Sequence, residues 1–90
     1  MPYIKVEYRE QLNGDIEKVI AALKRIKDSD LDGCTNYVIT RIMDALYGGG
    51  GYAVYNRALG VLSCTTDEFY RRRIAPYEDK KKEINGDVYK

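Results

Sequence analysis

The chain has 90 residues, a length typical of one domain, and 44% of them are hydrophobic while 32% are charged. A chain of this size buries only about 60–70% of the surface that its unfolded form exposes, so we expect a thin core. The net charge of +1 excludes a general attraction to nucleic acid or an anionic membrane, and no stretch approaches the roughly 18 consecutive apolar residues of a membrane-spanning helix. The absence of His, and of any Cys-x-x-Cys pair, argues against the usual catalytic and zinc chemistry. We therefore predict one soluble domain, residues 1–90, and the composition favours binding over catalysis.

The first part of the chain predicts a short arm followed by a helix. Residues 3–8 alternate between apolar and charged types, which is typical of a short extended arm. Residues 15–27 instead carry apolar side chains at the spacing of one helix face, with Asn13 or Asp15 available as the cap. The N-terminal residues show no basic stretch followed by an apolar run, so no secretory signal is evident and we expect a cytoplasmic location.

The remaining elements are also predicted to be helical. A second helix is expected over residues 33–47 and is ended by the four glycines at 48–51. A third helix is expected over residues 52–75, the longest periodic stretch in the chain. Pro76 cannot donate to the carbonyl four residues back, so a restart is favoured there, with a last helix over 76–85 and a glycine cap at Gly86. The predicted fold is all-α, a three- to four-helix bundle with a short extended N-terminal arm, in which Cys34 and Cys64 are reduced core thiols.

An acidic pattern between the first two predicted helices matches the first half of an EF-hand calcium loop. Asp28, Asp30 and Asp32 are followed by Gly33, but Ile39 stands at the twelfth position, where calcium binding needs a bidentate Glu. These three Asp residues are therefore a weak candidate metal site. The alternative is that Asp30 or Asp32 caps the second helix within a solvated loop.

Pairs of acidic residues raise the possibility of a magnesium site. Glu7 and Glu10 form one pair, and Asp79 and Glu83 could form a second on the last helix, as in helical nucleotide pyrophosphohydrolases. The alternative is an ordinary solvent-exposed face, with Glu78 paired to Lys82 and Asp67 paired to Arg71. Apart from this weak prospect of calcium or magnesium, no cofactor is expected.

The segment after Phe69 is the best candidate for anion recognition. Three arginines at positions 71–73 lie beside aromatic residues, a composition that suits phosphate binding and base stacking. Adjacent helical residues point about 100° apart, so one chain cannot direct all three guanidinium groups at one ligand. One face of the third predicted helix includes Gly60, and a glycine is unfavourable in the middle of a helix. Gly60 therefore indicates close approach of another helix, subunit or ligand. The candidate ligand-binding residues are Asn56, Tyr70, Arg71, Arg72, Arg73 and Tyr77.

Five strings stand out along the chain: residues 36–41 (NYVITR), 55–62 (YNRALGVL), 68–72 (EFYRR), 75–81 (APYEDKK) and 85–89 (NGDVY). In these strings, more than half of the chain resembles a small family of unknown function found in phages and other prokaryotic genomes. The family pattern has an acidic residue just before the last string, where this chain has Ile84. The resemblance implies a phage-type accessory protein that works by binding, and it brings no activity with it.

Three functions remain open on the sequence. The first is a non-enzymatic, self-associating protein that sequesters a phosphorylated small ligand such as a cyclic nucleotide. Nine Tyr in a chain with a thin core favour such a homo-oligomer. The second is a protein–protein interaction module that masks a host protein. The third is a magnesium-dependent nucleotide hydrolase.

Overall fold

The computed structural model describes residues 1–90 and consists of helices joined by short turns. α1 spans Val6–Lys24, α2 spans Asp28–Tyr47, α3 spans Gly51–Phe69 and α4 spans Ala75–Asn85. Between α3 and α4, residues Tyr70–Ile74 form one stretch of π-helix, which we call the π-segment. The structure is 82% helical and contains no strand, which confirms the all-α prediction.

α1 begins much earlier than predicted, so the extended arm is limited to residues 1–5. The backbone amides of Tyr8 and Arg9 donate to the Lys5 carbonyl, and the Arg9 side chain donates to the Ile4 carbonyl over 2.8 Å. Glu7 in the first turn lies where the helix dipole favours a negative charge. The alternation in residues 3–8 is too short to distinguish a strand from the start of a helix. The apolar positions that follow are spaced four residues apart, as in a helix.

α2 begins at Asp28, so the predicted loop over residues 28–33 is wrong. These residues form the first turns of the helix, and the carboxylates of Asp28 and Asp30 lie near its positive end. The Thr35 hydroxyl donates to the Leu31 carbonyl over 2.8 Å, which places the hydroxyl on the helix itself. Gly33 does not interrupt the helix, because its cost relative to Ala is only about 1 kcal/mol.

The glycine run makes the turn between α2 and α3, as predicted. Gly51 adopts a φ of 76°, a conformation that favours glycine, and a Cβ added at Gly50 would collide with Val54. The Gly48 amide donates to the Asp44 carbonyl over 2.8 Å, and the Tyr55 hydroxyl donates to the Gly48 carbonyl over 2.9 Å. The tyrosine therefore ties the start of α3 to the end of α2.

The helix does not restart at Pro76, contrary to the prediction. α3, the π-segment and α4 follow one another without a break, and the chain leaves the helix only at Gly86, whose φ is 92°. The Gly86 amide donates to the Lys82 carbonyl over 2.9 Å. The predicted stop at residues 85–86 is therefore observed.

The chain divides into two compact units, each of which lacks a buried core. One unit is Tyr3–Ala58, in which α1 contacts α2, and the other is Leu59–Lys90 with Met1–Pro2, in which the π-segment contacts α4. No residue of either unit is buried. In the first unit, half-buried side chains lie where α1 and α2 meet, whereas Tyr52 is 81% exposed.

The missing core corrects two further expectations. Cys34 is only half-buried and Cys64 is exposed, so neither is a core thiol within this chain. Large apolar side chains on every helix remain open to solvent, so the apolar faces that the sequence predicts do not bury one another within one chain. None of the helices combines the length and the apolar character needed to cross a membrane.

Candidate anion-binding site

The π-segment carries the arginine cluster, and Pro76 explains why it forms. In a regular α-helix the Pro76 ring would clash with the carbonyl of Arg72, four residues earlier, and Pro76 has no amide to donate to it. The π-helical turn widens the helix, and the Ala75 amide bonds to the Tyr70 carbonyl, five residues back. The proline therefore changes the spacing of hydrogen bonds along the helix instead of ending it.

The wider turn brings Tyr70 and Glu78 onto one face. Residues eight apart in an α-helix point about 80° away from each other, whereas one residue absorbed by the π-segment gives them the near alignment of residues seven apart. The Tyr70 hydroxyl accordingly donates to Glu78 Oε1 over 3.0 Å. This hydrogen bond and the negative charge of Glu78 raise the pKa of Tyr70 above its ordinary value of 10.0.

The three arginines differ in their partners. Arg71 Nη2 lies 2.7 Å from Glu68 Oε1 in an ion pair. Arg72 and Arg73 are exposed and form no hydrogen bond or ion pair. A guanidinium carries five donors in a planar fork, the geometry that matches a phosphate or carboxylate. Two of the three arginines therefore present this fork to solvent.

Tyr77 adds an aromatic ring four residues after Arg73. Its ring is exposed, and the Lys81 ammonium lies 5.6 Å from the ring centroid in a cation–π contact. Tyr70 is also exposed, although Glu78 holds its hydroxyl. We call residues 70–73 together with Tyr77 the Arg-Tyr surface. It combines unpaired positive charge with two rings that could stack on a planar ligand.

The sixth predicted ligand-binding residue lies elsewhere. Asn56 is in α3 and belongs to the unit Tyr3–Ala58, whereas the Arg-Tyr surface belongs to the unit that starts at Leu59. Its side chain is exposed and forms no hydrogen bond. The structure therefore gathers five of the six predicted residues in one unit and leaves Asn56 outside it.

The acidic residues do not assemble into a metal site. Along α2, Asp28 and Asp32 are four residues apart on one side of the helix, while Asp30 points elsewhere and lies 3.6 Å from Lys27 Nζ. No group of three or more His, Cys, Asp or Glu is arranged to hold a metal ion. The predicted calcium loop fails because its residues are helical, and a helix spreads consecutive carboxylates around its axis.

The sequence prediction missed the roles of Glu68 and Glu78. It paired Asp67 with Arg71 and Glu78 with Lys82, both four residues apart, whereas the structure pairs Arg71 with Glu68 and Glu78 with Tyr70. The first pair is three residues apart and was an equally good candidate by spacing alone. The second is eight residues apart and follows only from the π-segment.

Comparisons with known proteins give a family and nothing more specific. Residues 1–88 match the model of a domain of unknown function, DUF6899. This match supports the expectation of an uncharacterised family. No curated protein and no solved structure matches the chain significantly.

Proposed function

The chain belongs to this family of unknown function, DUF6899, and from its own geometry we propose a self-associating, non-enzymatic protein that binds a small phosphorylated ligand. A cyclic nucleotide is the ligand class that we favour. One observation carries the proposal: the guanidinium groups of Arg72 and Arg73 are exposed, adjacent in sequence and without any partner in the chain.

Each part of such a ligand has a suitable group on the Arg-Tyr surface. Phosphate oxygens accept charge-assisted hydrogen bonds from the arginine forks, and these bonds are roughly twice as strong as neutral ones. A base can stack on the ring of Tyr70 or Tyr77, which is worth about 1–3 kcal/mol per base. Arg71 would contribute a third guanidinium once its bond to Glu68 is released. In the assembly, Asn56 of a second copy would read a polar base edge.

Self-association is supported by the surface that the chain leaves open. No residue of either unit is buried, and large apolar side chains are exposed on every helix, among them Leu59 at 62% and Tyr52 at 81%. Exposed apolar surface of this kind is typical of an interface with another protein. A second copy of the chain is the simplest partner with matching apolar helix faces. Adjacent arginines on one helix point in different directions, so they cannot all contact one ligand. Association removes this limit, because arginines of different copies can contact the same ligand.

The test is isothermal titration calorimetry, in which purified protein is titrated with mono-, di- and cyclic nucleotides. Arg72→Ala and Arg73→Ala are each expected to weaken binding by about tenfold or more, the value of one charge-assisted contact. Arg57→Ala is the matched control, since Arg57 is also exposed and unpaired but lies in the other unit. Absence of binding to every nucleotide at millimolar concentration, or equal losses in all three variants, would overturn the proposal.

A protein–protein interaction module is the second candidate, and the same exposed apolar faces favour it. Such a module would use tyrosines and leucines as anchors for a host protein rather than for a second copy. A stoichiometric host partner in a pull-down, together with a protein that stays monomeric alone, would favour this function over the first. A phage origin and a cytoplasmic location fit both candidates and are part of the proposal.

A magnesium-dependent nucleotide hydrolase has the least support. Glu7 and Glu10 lie on the first turns of α1, and no third acidic residue joins them in a group that could hold a metal ion. Phosphate release that disappears in Glu10→Gln would revive this alternative.

A further inference from the structure

Glu68 stands out from the other acidic residues of its unit. It is one of only two half-buried residues between Leu59 and Lys90, and its side chain is 22% exposed. Its carboxylate meets Arg71, whose side chain is 62% exposed, at a distance of 2.7 Å. The carboxylate is thus held against the helix, while much of the guanidinium remains accessible to a ligand from solvent.

A carboxylate and a phosphate compete for the same feature of arginine. Both present oxygens of negative charge to the N–H groups of the guanidinium, and both form short, charge-assisted bonds with it. Arg71 lies next to two arginines that have no such partner. Within three consecutive residues, one guanidinium is therefore occupied by an internal anion and two are not.

We propose that Glu68 is an internal competitor for the phosphate of the ligand. In the unliganded protein the Glu68 carboxylate occupies the Arg71 guanidinium, and the bound phosphate takes its place there. This inference rests on the proposed function, because it concerns the same surface. It assigns different roles to the three arginines of the assembly: Arg72 and Arg73 capture the anion first, and Arg71 of another copy joins only after exchange. The exchange lowers affinity for any anion too weak to replace a carboxylate.

The test compares two neighbouring substitutions that remove the same charge. Glu68→Gln removes the ion pair with Arg71, and we expect it to raise nucleotide affinity about threefold to tenfold, the value of one exposed charge-assisted bond. Asp67→Asn is the matched control, because Asp67 is exposed and makes no hydrogen bond or ion pair. Its removal acts only through the general field, which salt screens, so we expect a change of about twofold or less.

A second variant separates local release from loss of charge. Glu68→Asp keeps the negative charge but shortens the side chain by one methylene, which should break the 2.7 Å contact and still raise affinity. This variant also serves if Glu68→Gln does not fold. Adding Arg71→Ala to either substitution should abolish the gain, because the freed guanidinium is then absent.

The outcomes distinguish this inference from the proposed function. If the wild-type protein binds nucleotide through Arg72 and Arg73 while Glu68→Gln gains no more than Asp67→Asn, only the competitor role is wrong. A gain in affinity that persists when Arg71→Ala is added would likewise show that only the competitor role is wrong. If neither the wild-type protein nor Glu68→Gln binds any nucleotide, both proposals fall. Binding by Glu68→Gln alone would show that Glu68 blocks the Arg71 guanidinium, but it would overturn the proposed function of the wild-type protein.

Discussion

Dilution of the protein is the most direct test of self-association in a chain that has no core of its own. If a second copy covers the open apolar faces, the folded state exists only in the oligomer, and unfolding separates the copies. The melting temperature must then fall as the protein is diluted. A chain that folds alone has a melting temperature independent of concentration.

The size of this shift follows from the length of the chain. Tenfold dilution destabilises a folded dimer relative to its unfolded chains by about 1.4 kcal/mol, or RT ln 10. The entropy of unfolding is about 2.1 cal/mol/K per residue, or about 380 cal/mol/K for two chains of 90 residues. The ratio predicts a fall of about 4 °C in melting temperature for each tenfold dilution, and a larger fall for higher oligomers.

The assay is thermal unfolding followed by circular dichroism at 222 nm over a hundredfold range of concentration. We expect a total shift of about 7 °C or more for a dimer over this range. Sedimentation velocity on the same samples gives the number of copies. A helical protein that sediments as a monomer throughout, with an unchanged melting temperature, would refute the argument from the missing core.

Three further predictions concern single residues. Leu59 is 62% exposed, so its burial between copies would contribute about 1–2 kcal/mol per chain. Leu59→Gln should therefore raise the dissociation constant of the oligomer at least tenfold, whereas the control Arg57→Gln should leave it unchanged. Sedimentation over a dilution series measures both dissociation constants. Pro76→Ala restores the missing amide and permits a regular α-helix, so the Tyr70 to Glu78 hydrogen bond should be lost; tyrosine ring NMR reports the change. Because the pKa of Tyr70 is raised in the folded chain, its stabilising contribution is complete below pH 10 and is lost as pH rises through the folded pKa. In Glu78→Ala the pKa of Tyr70 should fall towards its ordinary value, as measured by ultraviolet titration against a variant that also carries Tyr70→Phe.

Sequence periodicity predicted most of each helix and its apolar face, because a 3.6-residue repeat is a local property, although α1 and α2 begin earlier than predicted. It could not say what those faces pack against. Ile16 and Leu59 have the spacing of core residues, yet both remain exposed in the chain. The same pattern fits an apolar face that is buried within one chain and a face that is buried between copies, so the absence of an internal core appears only in three dimensions.

The candidate site was predicted in composition but not in pairing. The cluster at residues 70–73 is visible from its residue types alone. Its partners depend on whether Pro76 breaks, kinks or widens the helix, and that choice depends on the energy of the whole turn. The aspartates at positions 28–32 show the opposite error, since a partial motif suggested a loop where acidic residues at a helix start are simply favourable.

The π-segment also determines how far one apolar line extends along the helix. Leu62, Phe69, Tyr77 and Ile84 follow one another at intervals of seven, eight and seven residues. The interval of eight spans the π-segment, which absorbs the extra residue, so all four positions fall on the same side of the helix. In an uninterrupted α-helix the line from Leu62 and Phe69 would instead continue through Pro76 and Glu83, and would end in a charge. A straight partner helix can therefore follow one apolar line from α3 into α4, over about three times the length that the line has within α3.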